Sequence, residues 1–197
     1  MARISRTEQQ ARTRAALIDA ARTHFSDDGY AVASLDRIAD DAGYTRGAIY
    51  ANFDGKAGLF LAVLDVRLQA QVKDLESIGG DLSGIRGWRL ATAEEQRGLA
   101  LAVLEFRVIA LRDDNLRVQL RERQRAVRQA FATVVTRNAK EFGVELPMPA
   151  EDLATVLLAL GDGLTEQHLL DPERVDSGLF EALLAILIGN AAPAVDR

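Results

Sequence analysis

Ser34-Leu35-Asp36-Arg37-Ile38-Ala39-Asp40-Asp41-Ala42-Gly43-Tyr44-Thr45-Arg46-Gly47-Ala48-Ile49-Tyr50-Ala51-Asn52-Phe53-Asp54-Gly55-Lys56 is the most informative run of the chain. Ser34 is placed to cap a short helix with Leu35, Ile38, Ala39 and Ala42 on one face. Gly43 follows as a residue free to adopt the left-handed turn conformation. Thr45 can then cap a further helix over about 46–52, with Ile49 facing inward and Phe53 just beyond. Two short helices joined at Ala42-Gly43-Tyr44 make a helix-turn-helix, whose second helix enters a DNA major groove. Such spacing occurs by chance in many helical proteins, so the chemistry of the second helix carries more weight than its position. A helix that spends only Ile49 on the core displays Thr45, Arg46, Gly47, Ala48, Tyr50 and Asn52. Gly47 and Ala48 are small enough for close approach, while Arg46, Tyr50 and Asn52 can donate to phosphates or base edges. Lys56 adds a cation nearby, and the helix N-terminus adds free amides.

Upstream, Thr7-Glu8-Gln9-Gln10 has the form of a capping box, and Leu17, Ile18, Ala21 and Phe25 follow at helical spacing. The expected first helix covers about 7–28, stopped by Asp27-Asp28-Gly29. Arg3, Arg6, Arg12 and Arg14 against Glu8 give this arm a local excess of +3, fit to track phosphate or enter a minor groove, or else to remain a solvated terminus. Downstream, helices are expected over about 56–78, 93–112, 115–142, from Ala150 or Glu151 to about Leu170, and 177–190. Their punctuation is a Gly79–Gly84 loop, a second capping box at Thr92-Ala93-Glu94-Glu95, a break at Asp113-Asp114-Asn115, Gly143, Pro147 and Pro149, and Asp171-Pro172. The expected architecture is all-α with about nine helices. Residues 1–60 form a three-helix helix-turn-helix DNA-binding domain, and residues 61–197 a larger helical domain.

The composition agrees. Of 197 residues, 48% are apolar and 27% charged, which is globular; 4 prolines and few aromatics favour helix over strand. Having no cysteine excludes disulfides, thiolate metal sites and a cysteine nucleophile. No apolar run approaches the roughly 20 residues of a membrane span, and the polar start MARISRTEQQARTR is no signal peptide, so a cytoplasmic protein without membrane contact is expected. Catalytic groups are sparse. His24 and His168 are the two histidines, neither in a metal-binding spacing, and the sequence has no P-loop and no GxSxG elbow. No enzymatic activity, metal or cofactor is expected. A net charge of -5 argues at face value against nucleic acid, but residues 1–60 carry 8 basic and 8 acidic groups, so the whole deficit falls in the second part.

The run from Gly29-Tyr30 through Lys56, with Ala20-Ala21 and Phe25 before it and Leu59-Phe60 after it, resembles the DNA-binding domain of the tetracycline-repressor (TetR) family over about the first 60 residues. Family members usually carry His where this chain has Asn52, and often Thr where it has Ala33. The resemblance implies a homodimeric transcriptional regulator that binds a palindromic operator and is released from it by a small-molecule effector held in the C-terminal domain. Residue by residue, Tyr50 and Lys56 match the family's phosphate contacts, Thr45 and Arg46 its entry to the reading helix, and Gly47 and Ala48 its groove-facing positions. A helical module that uses the same surface to bind proteins is the alternative.

Residues 61–197 carry no specific motif. Two segments are apolar nearly all round, which points to a four-helix dimer interface built from Leu153, Val156, Leu157, Leu160 and Leu164 with Phe180, Leu183, Leu184 and Leu187. Gly161 and Gly163 mark either a close helix approach, room for a ligand or a kink. Trp88, Phe106, Phe131, Gln167 and His168 are the pocket candidates, as aromatic or polar groups on apolar helices. The arginines from Arg117 to Arg137 read as a solvated face paired with Glu122 and its neighbours, or as a site for an anionic effector.

Overall fold

The computed structural model describes residues 5–77, 94–143, 145–175 and 179. Among them the regular structure is seven α-helices and no strand: α1 Arg6–Val32, α2 Leu35–Asp41, α3 Arg46–Asn52, α4 Gly55–Ser77, α5 Glu94–Arg112, α6 Asp114–Phe142 and α7 Ala150–Leu170. The expected helix over 177–190 lies, Leu179 apart, outside the described residues, as do Arg3, the 79–84 loop, Thr92, Trp88 and the interface positions Phe180, Leu183, Leu184 and Leu187.

Local chemistry sets the helix ends, with three departures from expectation. The capping box of α1 is Ser5 with Glu8, two residues before the Thr7 box: the Glu8 amide donates to Ser5 Oγ at 3.1 Å and the Ser5 amide to Glu8 Oε2 at 2.8 Å. Serine with a glutamate three residues on satisfies both orphan amides and puts a carboxylate at the positive helix end. Those bonds, the Ser5 amide first, hold the Glu8 carboxyl below its ordinary range. Second, Asp27-Asp28-Gly29 does not end α1; Gly29 breaks it at φ 75°, ψ 169° and one more turn follows to Val32. Third, Ser34 and Thr45 stand at the N-cap positions of α2 and α3, but neither side chain caps. Their carbonyls accept the entry bonds instead, from Ile38 N at 3.0 Å and Ala48 N at 2.9 Å. Both hydroxyls are left out of the helices' own bonding.

Gly43 turns the chain as expected, at φ 75°, with the Tyr44 amide reaching back to Ala39 O at 2.8 Å. Asp113 is a true cap for α6, its Oδ1 accepting from the amides of Asn115 and Leu116 at 2.9 and 3.0 Å. α7 runs through Gly161 and Gly163 unbroken, and a Cβ on Gly163 would meet nothing within 4 Å among the described residues.

The chain groups into two compact units, one holding Met1–Arg67 with Ala93–Arg117 and the other Leu68–Thr92 with Val118–Arg197. In the first, α5 packs extensively along α1. Gly98 permits this: a Cβ there would press into the Ser26 backbone, 2.7 Å from its carbonyl carbon and closer still to its oxygen. Phe25, Tyr30, Phe60 and Phe106 form one cluster, with ring centroids 4.8–5.8 Å apart. Edge and tilted ring pairs of this kind contribute about 0.5–1.5 kcal/mol each beyond the area they bury. In the second unit, Val127, Phe131, Ala132, Val134 and Ala154 form one core, and Leu153 with Leu157 another, covered by Val135, Leu146, Leu160 and Leu164.

Candidate nucleic-acid interface

α3 is held as a platform from three directions. Ile49 anchors it, fully buried, and the glycine turn fixes its entry. Its far end is gripped by Arg14, whose guanidinium donates to Asn52 O at 2.8 Å and lies 4.3 Å from the centre of the Phe53 ring. The last residue of α2 is tied to α1 by His24, buried to 6% exposure, whose Nε2–H donates to Asp41 Oδ2 at 2.6 Å while Nδ1 lies 3.5 Å from Asp28. Asp28 also takes Arg37 at 3.1 Å. A polar group inside a core needs such partners, because an unpaired one costs about 1–3 kcal/mol.

On that platform Thr45, Arg46, Gly47 and Tyr50 are exposed, and Ala48, Asn52 and Ser34 are partly so. Among the described residues a Cβ on Gly47 would meet only Thr45 Oγ1, at an ordinary 3.6 Å, so none of them requires glycine there. Arg46 is folded across the surface, donating to Asp36 Oδ2 at 2.9 Å and to Tyr50 Oη at 3.2 Å. The Tyr50 hydroxyl above all, with the Asp36 charge, strengthens the hold of this guanidinium on its proton. The Asn52 amide is turned back to Ala48 O at 2.8 Å, leaving Oδ1 buried without a partner. Lys56 donates to Ala31 O at 2.9 Å and sits 5.1 Å from the Tyr30 ring centre. Burial pulls the Lys56 ammonium below its ordinary range, with Glu105 opposing.

Glu105 on α5 belongs to the same locality. The Gly29 break frees the Ala31 amide from the helix ladder, and Glu105 Oε2 accepts it at 2.9 Å. Sequence reasoning missed Asp36, His24, Gly98 and Glu105, and placed Arg14 in the arm, as a nucleic-acid contact or part of a solvated terminus, without its contact to α3. One signal was available: His24 falls seven residues after Leu17 on the buried face of α1, where a polar side chain implies a partner.

The other candidates have surroundings of their own. Phe106 is packed in the first unit's aromatic cluster and Phe131 in a core of the second. Gln167 is exposed, and His168 Nδ1 pairs with Val175 O at 2.7 Å. Leu153 and Leu157 are only 8% and 6% exposed within the single chain, whereas Val156 is 49% exposed. On α6, Arg117 pairs with Asp114, and Arg121 and Arg125 with Glu122. No group of metal-binding side chains occurs among the described residues, and no helix there is long and apolar enough to cross a membrane.

Comparison with known proteins gives two family matches along the chain. Residues 17–63 match the profile of bacterial regulatory proteins of the tetR family, and residues 81–192 that of the BetI-type transcriptional repressor C-terminal domain. The HTH-type transcriptional regulator TtgR of Pseudomonas putida is 33% identical over 187 residues, 88% of each chain. A TetR transcription regulator from Haloarcula marismortui shares the fold, with a TM-score of 0.67 at 21% identity over 92% of this chain and 98% of that one. NalD, the secondary repressor of the MexAB-OprM multidrug efflux pump in Pseudomonas aeruginosa, superposes with a TM-score of 0.56 at 25% identity, over 92% and 96%.

Proposed function

The chain belongs to the TetR family and is a DNA-binding transcriptional regulator, and from that premise we propose a homodimeric repressor that leaves a palindromic operator when a small molecule binds its C-terminal half. The observation that carries the reading is the face of α3, where Thr45, Arg46, Gly47 and Tyr50 are exposed around a single buried Ile49. Tyr50 and the Ser34 and Thr45 hydroxyls supply phosphate contacts, Gly47 and Ala48 let the backbone approach the groove floor, and Arg46 supplies a fork of donors to a base edge. Arg14 and Lys56 act from behind, fixing the ends of α3 and α1. Two such heads call for half-sites about 34 Å apart, one turn of DNA, or a multiple of it.

The packing of α5 on α1 supplies a route for release. α5, at Glu94–Arg112, lies outside the first 60 residues yet is bonded through Glu105 to the break in α1 beside Lys56. A ligand that favours a shifted α5 therefore moves the reading head. Repression of an efflux system, the role of NalD, is the regulatory context that this one neighbour suggests. The test is a gel shift on the DNA upstream of the chain's own gene at two salt concentrations. Salt-sensitive binding that falls at least about tenfold in Tyr50→Ala supports the reading; a chain that binds neither that DNA nor any site selected from a random pool ends it.

A further inference from the structure

The recognition surface carries an acid where DNA would bring negative charge. Asp36, in the first turn of α2, is largely exposed, and its carboxylate faces Arg46 at 2.9 Å. An exposed ion pair adds little stability, and a carboxylate in the first turn of α2 adds only about 0.3–1 kcal/mol at the positive helix end, so the fold alone gives a modest reason for an anion here. The consequence for Arg46 is specific. Asp36 from one helix and the Tyr50 hydroxyl from the next turn of α3 take one terminal nitrogen each, and the cation lies 5.7 Å from the centre of the Tyr50 ring. A guanidinium has five N–H donors, and two are used. Its charge is already met, which reduces what a phosphate offers it. Its direction is fixed, and donors remain for the two acceptors that guanine presents in the major groove.

We propose that Asp36 is a specificity-determining positioning residue, converting Arg46 from a phosphate contact into a reader of guanine. This rests on the DNA-binding role of α3 and adds to it what one position of the site must be. The carboxylate lowers affinity for DNA in general and concentrates binding on sites with a guanine under Arg46.

Selection from a random duplex pool, followed by titration against the selected site and its single-base variants, tests this whatever sequence the operator has. Wild type is expected to prefer guanine at one position of each half-site. Asp36→Asn weakens that preference about tenfold, binds random duplex more tightly, and steepens the slope of log K against log salt by about 0.9 per head as Arg46 turns to a phosphate. Asp36→Glu keeps the charge and the preference, whereas Arg46→Lys loses the preference because a point charge has no fork. In an Arg46→Ala background, Asp36→Asn has no further effect on base preference. Circular dichroism confirms that each variant is folded. Guanine preference unchanged in Asp36→Asn, or an effect that persists without Arg46, overturns the proposal and leaves the DNA-binding role intact. A wild-type chain that selects no site sinks both.

Discussion

Gly47 separates what the fold needs from what the partner needs. Glycine inside a helix costs about 1 kcal/mol relative to alanine, and a Cβ at this position would meet nothing tighter than an ordinary contact. Gly47→Ala is therefore expected to raise the stability of the first unit by up to about 1 kcal/mol, read as a higher denaturant midpoint, while weakening operator binding by at least about tenfold through the added methyl. Loss of stability would show that the glycine serves the fold. This contrast was readable from the sequence, because a seven-residue helix with one core position declares its other positions displayed. The partners of the displayed groups were not readable. Asp36 and Arg46 are ten residues apart on different helices, and Arg14 reaches Asn52 across 38 residues. Such pairings depend on how helices pack, which periodicity does not encode.

At the level of elements, helices with visible caps were legible in the sequence, and the structure moves their ends by mechanisms that spacing alone leaves open: two overlapping capping boxes at Ser5 and Thr7, and a glycine that kinks α1 rather than ending it. The union of α5 with α1 was illegible, since both are ordinary amphipathic helices and nothing in either names its neighbour. Gly98 is the residue that makes the union close. Substituting alanine drives a methyl into the Ser26 backbone, which cannot swing aside as a side chain can. Gly98→Ala is expected to destabilise the chain by about 1–3 kcal/mol, despite alanine's better helix propensity. Thermal unfolding would reveal it as a lowered midpoint. An unchanged or higher midpoint would mean that α5 does not bear on α1 as closely as described.

For the molecule as a whole, the net charge of -5 does not oppose DNA binding, because residues 1–60 are balanced, but it also leaves little cationic surface. Arg37 and Arg46 are paired with carboxylates, and Arg14 and Lys56 with carbonyls. Weak non-specific attraction makes each reading head poor by itself, and the proposed dimer would draw its occupancy from two heads acting together; linking two sites multiplies affinity by about 10² to 10⁴. We expect the face for that pairing on α7, though not the whole face read from its sequence. Leu153 and Leu157 are already covered inside the second unit, while Val156 is exposed and shares its side of the helix with Ala159 and Gly163, and a Cβ added at Gly163 would meet nothing within 4 Å among the described residues. Val156→Glu should leave the helical circular dichroism intact, convert a dimer to a monomer in sedimentation at micromolar concentration, and weaken operator binding by about 10² or more. Leu157→Glu, which buries a charge in the core, should instead unfold the second unit. A wild-type monomer, or a Val156→Glu chain that stays dimeric, would place the pairing face elsewhere.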